Sequence, residues 1–82
     1  MDRRKLSRIN RLGQEILTLE SRLEGVKARI HAARLDLDRD YQTRREWSES
    51  AHEYGVSCGS AFALEKRLKI VRGRFHFEVS TI

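Results

Sequence analysis

Apolar residues recur through the first half of the chain at alternating spacings of three and four: Ile9, Leu12, Ile16, Leu19, Leu23, Val26, Ile30, Ala33 and Leu37. This is the a/d seam of a coiled coil, with Ile9, Ile16, Leu23, Ile30 and Leu37 at a, and Leu12, Leu19, Val26 and Ala33 at d. Charged residues fill most positions between them. So narrow a stripe cannot be buried by the helix that carries it, because helix stability in water comes mainly from packing against another element. The pattern predicts a helix from Arg3 to Leu37. Asp2 is its expected cap, since a carboxylate accepts orphan N–H groups and sits well at the positive end of the helix dipole. Gly13 and Gly25 each cost about 1 kcal/mol relative to alanine inside a helix, but neither lies on the seam. The same register can be extended through Asp40, Arg44, Trp47, Ala51 and Tyr54, at the cost of placing Asp40 and Arg44 on the stripe. Ser50-Ala51-His52-Glu53 also reads as a capping box that starts a new helix. A break between Arg44 and Ser50 is therefore expected, with Trp47 as a core plug beside it.

In the second half, Gly55 stands where a helix ending at Tyr54 would take a left-handed cap, and Ser57 or Ser60 can cap the next helix. Ala61, Leu64, Leu68 and Val71 then recur at three and four, which predicts a short amphipathic helix from about Ser60 to Leu68 or Val71. After Gly73 the period changes to two, with Phe75, Phe77, Val79 and Thr81 on one face and Arg74, His76, Glu78 and Ser80 on the other. That alternation predicts a strand. Such a strand needs a partner for its backbone groups, either Lys69 to Arg72 in a hairpin or the same segment of a second subunit. The expected fold is mainly α: a long N-terminal coiled-coil helix, then a short helix and a C-terminal β-strand or hairpin. The expected division is residues 1–47 as an oligomerisation helix and 48–82 as a small helix-plus-strand unit.

Isoleucine at a with leucine at d favours a parallel two-stranded coiled coil. The flanking charges disagree: a parallel homodimer would set Glu15 against Glu20, Arg22 against Lys27 and Arg29 against Arg34. Each like-charged contact costs a few tenths of a kcal/mol, whereas each large aliphatic side chain buried in the seam is worth roughly 1.5–3 kcal/mol. Charge thus selects an arrangement without forbidding association. A homodimer is the first reading of the nine seam residues. An antiparallel dimer or an intramolecular hairpin is the second, and a partner with acidic flanks the third.

Charge adds a second theme. The chain has 17 Lys and Arg against 12 Asp and Glu in 82 residues, a formal net charge of +5. This excess favours nucleic acid, an acidic protein or an anionic membrane surface as partner. The membrane fits least, because the apolar stripe is narrow and carries no interfacial aromatic before Tyr41. Cys58 is the only cysteine, which excludes an intrachain disulfide and suits a reducing compartment. With neither a secretory h-region nor a membrane-length apolar run, the expected location is intracellular and cytoplasmic.

Ala51, Gly55, Val56 and Ser57, followed by Ala61 and Leu64, resemble a helix-turn-helix over about residues 47–68: a small residue in the first helix, a glycine turn, a capping serine and an apolar inner face. The resemblance implies that residues from Cys58 to Lys66 enter the major groove of DNA. It further implies that Lys69 to Val79 act as a wing. The residue types in the supposed recognition helix, among them Ser60, Phe62, Ala63 and Glu65, offer little to base edges. Expected nucleic-acid contacts are therefore phosphate contacts from Lys66, Arg67, Lys69, Arg72 and Arg74, joined by Arg44 and Arg45. A further basic cluster lies at Arg3, Arg4, Lys5 and Arg8.

No reaction chemistry is legible. Cys58, His52 and His76 match no metal-ligand spacing and no nucleophile–base arrangement, and there is no glycine-rich phosphate loop. The sequence reading is a regulatory protein, not an enzyme, that needs no cofactor, associates with itself and binds nucleic acid. The alternative is an adaptor, chaperone or inhibitor docking on an acidic surface of a larger complex.

Overall fold

The computed structural model describes residues 2–39 and 43–81. Two helices fill it: α1, Arg3–Leu37, and α2, Arg44–Ser80. They run antiparallel along their whole length as a rod of 61 × 14 × 14 Å. No strand occurs among the described residues.

The first helix has the expected bounds, and Asp2 caps it by accepting the Arg4 N–H at 3.1 Å. The second half departs from expectation. The short helix and C-terminal strand or hairpin are replaced by one helix that runs unbroken through Gly55, Gly59 and Gly73. None of these glycines has a positive φ, so none makes a turn. The turn of the helix-turn-helix resemblance is not formed, nor is the wing. The chain reverses earlier than expected, between Leu37 and Arg44, and α2 starts on a capping box three residues before Trp47. Thr43 Oγ1 accepts the Glu46 N–H at 3.2 Å while the Glu46 carboxylate accepts the Thr43 N–H at 3.3 Å. Asp40 and Tyr41 lie outside the described residues.

The seam of α1 explains why the helix wins. It finds a complementary stripe in α2, where Tyr54, Ser57, Ala61, Leu64, Leu68, Val71, Phe75 and Glu78 also recur at three and four. Leu19, Leu23, Ala61, Leu68 and Val71 form the buried core, with Leu12, Ile16, Val26, Ile30 and Leu64 packed against it. Ala33 is also buried, and Ile9 and Leu37 are half-buried. Each interior glycine costs about 1 kcal/mol, and each large apolar side chain brought onto the stripe returns roughly 1.5–3 kcal/mol. The helix also satisfies the backbone groups that a lone strand would leave unpaired. Phe75, Phe77 and Val79, expected on one strand face, divide instead: Phe75 is half-buried, while Phe77 and Val79 point out.

Register is marked by charge. Arg67 clasps Glu15, with Nε at 3.1 Å and Nη2 at 2.8 Å from one carboxylate oxygen, and Arg72 Nη2 donates to Glu20 at 2.8 Å. Arg8 lies 3.8 Å from Glu78, and Lys5 donates to Thr81 Oγ1. These exposed contacts contribute little individually, about 0–1 kcal/mol each. Their value is in fixing which layer meets which.

Candidate functional site: the basic open end

The hairpin gathers the charge at one end. Residues 2–15 and 66–81 lie together at the open end of the rod, and they carry ten Lys and Arg against Asp2, Glu15 and Glu78. Residues 16–65, toward the turn, carry seven against nine carboxylates. The net charge of +5 is thus the sum of a strongly cationic end and a slightly anionic remainder.

The seven nucleic-acid candidates are divided by this geometry. Lys66, Arg67, Lys69, Arg72 and Arg74 lie on the open half of α2, all exposed. Arg67 and Arg72 are engaged by Glu15 and Glu20, whereas Lys66, Lys69 and Arg74 make no ion pair among the described residues. Arg44 and Arg45 stand at the other end, in the first turn of α2, with Arg45 3.4 Å from Glu49. Some 45 Å of helix separates them from Arg74 at 1.5 Å per residue. Trp47 beside them is 52% exposed, so it does not plug a core.

Arg4, Ser7, Arg8 and Arg11 surround a shallow concavity on α1 at the cationic end. Next to it, between the helices, lies an open groove of about 600 Å³ lined by Arg8, Arg11, Leu12, Glu15, Ile70, Gly73, Arg74, Phe77 and Glu78. Its apolar wall is Leu12, Ile70 and Phe77, and Phe77 is 66% exposed. Reading single residues missed it. The signal was a second seven-residue recurrence in α2, Val56, Ala63, Ile70 and Phe77, hidden beside the core stripe. The helical period sets these residues on the flank of α2 that carries Arg67 and Arg74. The other flank holds Phe62, Lys69 and Arg72 by the same period, and there Leu17, Glu20, Glu24, Lys27 and Arg72 line a second concavity in which Arg72 is already paired with Glu20.

The groups considered for chemistry stay apart. Cys58 is half-buried, His52 and His76 are exposed, and His76 meets the Phe75 ring edge-on at 6.3 Å. Among the described residues no three His, Cys, Asp or Glu side chains are grouped to hold a metal, and no helix is long and apolar enough to cross a membrane. Set against models of protein families, curated proteins and solved structures, the chain matches none of them.

Proposed function

We propose that the chain is a non-catalytic interaction module, a helical hairpin whose cationic open end docks on an acidic protein surface of a larger assembly. The observation that carries this reading is the coincidence, at one end, of cations without an ion pair among the described residues and exposed apolar side chains. Arg11 and Arg74 flank Ile70 and Phe77, which are 44% and 66% exposed. A phosphate backbone needs only the cations, whereas a protein partner uses both, with arginine and aromatic anchors inside a polar rim. A second reading, nucleic-acid binding through phosphate contacts, is favoured by the exposure of Lys66, Lys69 and Arg74 together with Arg3, Arg4 and Arg11.

Affinity capture from nuclease-treated extracts of the parent cells, run beside anisotropy with labelled duplex DNA and single-stranded RNA from about 50 to 200 mM salt, separates the two. A protein retained after nuclease treatment and lost with the Arg4→Glu/Arg11→Glu/Arg74→Glu variant supports the module. Saturable nucleic-acid binding with a steep salt slope, and no such protein, replaces it with the second reading.

A further inference from the structure

We infer that the groove between α1 and α2 at the open end is the seat of a third helix, supplied by the partner: an amphipathic, acidic helix of about 21 residues. This inference rests on the protein-partner reading above and specifies its contact surface. Val56, Ala63, Ile70 and Phe77 recur every seven residues and so form one apolar row along this flank of α2, edged by Lys66, Arg67 and Arg74. Ile70 and Phe77 line the groove itself, and with Ala63 and Val56 the row runs on from the open end toward the turn, about 31 Å in all at 1.5 Å per residue, which sets the length of the occupant. It is additional to the core seam, which α1 already covers, and Val56, Ile70 and Phe77 are all exposed. Across from it on α1 the same flank carries Thr18, Gly25 and Ala32, small residues that let a third backbone approach.

Charge chooses the occupant. Arg11 and Arg74 stand at the groove without an ion-pair partner among the described residues, and its carboxylates, Glu15 and Glu78, are engaged by Arg67 and Arg8. A second copy seated in parallel on the same surface would bring Lys66, Arg67 and Arg74 against their own duplicates, and one seated antiparallel would still set Lys66 against Arg67, like-charge arrangements that destabilise association. Carboxylates flanking an apolar stripe complement it. Phe77 and Ile70 take the partner's apolar side chains, and Arg11 and Arg74 take its carboxylates.

The test uses the full chain and a fluorescently labelled, hydrocarbon-stapled helix of about 21 residues, with leucine at a and d and glutamate at e and g. Its controls are a scrambled peptide of the same composition and a lysine-for-glutamate analogue. Expected is saturable micromolar binding of the patterned acidic peptide alone. Phe77→Ala weakens it about tenfold and Arg11→Glu/Arg74→Glu abolishes it, while Phe62→Ala, on the opposite flank, leaves it unchanged. All these positions are exposed, so circular dichroism of the variants stays that of the parent chain. Equal binding of the scrambled peptide, or indifference to Phe77→Ala, overturns the groove while leaving an acidic partner in place. Binding of duplex DNA with no binding of either acidic peptide overturns both. A concentration-dependent dimer in sedimentation that excludes the peptide gives the groove to a second copy and also overturns the inference.

Discussion

Side chains on α2 at neighbouring positions have opposite weights. Leu68 is 3% exposed in the centre of the core, whereas Lys69 beside it is solvated. Leu68→Ala removes buried methylenes where the helices cannot close the gap, and the expected cost is about 2–5 kcal/mol. In a hairpin with so few core layers, that lowers the thermal midpoint measured by circular dichroism by well over ten degrees or unfolds the chain at room temperature. The glycines act in the other direction. A methyl group at Gly25 or Gly55 meets no atom within 4 Å, and both have helical φ. Gly25→Ala and Gly55→Ala are therefore each expected to stabilise by about 0.5–1 kcal/mol, close to additively, in urea unfolding. An unchanged midpoint would show that another chain or an alternative conformation uses the space.

At the scale of the element, α2 depends on how it begins. Its first two turns hold Trp47 exposed and bury little, so the Thr43–Glu46 box is what stops fraying there. Thr43→Ala is expected to cost about 1 kcal/mol and to reduce helicity locally, read from amide exchange at residues 46–50. The α1 helix was fully legible in sequence because its seam has no polar interruption and its cap is an aspartate. The α2 helix was obscured by three features. Its seam includes Ser57 and Glu78, which a hydrophobicity count rejects; yet Ser57 is buried and donates to Glu53 Oε1 at 3.1 Å, and Glu78 meets Arg8. Gly55, Gly59 and Gly73 looked like punctuation, and Phe75, Phe77 and Val79 imitate the alternation of a strand. Thr43-Arg44-Arg45-Glu46 and Ser50-Ala51-His52-Glu53 both have capping-box spacing, and only packing against α1 decides between them. The partition of charge was similarly hidden, since no local window joins residues 2–15 to residues 66–81. The candidate groove needs both ends of the chain and could not be read before the reversal was known.

As a whole molecule the hairpin is unusually extended for its size. Its radius of gyration is 18.4 Å, against about 12 Å for a compact chain of this length. Small-angle scattering of a single hairpin is expected to return about 18 Å, and a clearly larger value would mean that the chain associates or that the hairpin opens. The arrangement of the core also has a kinetic consequence. Leu19, Leu23, Leu64, Leu68 and Val71 lie far from the reversal, whereas in the layers nearer to it Ile30, Ala33 and Leu37 of α1 are joined by the smaller or more polar Ala51, Tyr54 and Ser57 of α2. Zipping outward from the turn would gain less apolar burial at first than closing the middle of the rod, which joins residues roughly forty apart and loses the loop entropy before its contacts form. Amide exchange is expected to be slowest in the middle of the rod, around Leu19, Leu23, Leu68 and Val71, and faster toward the first turns of both helices.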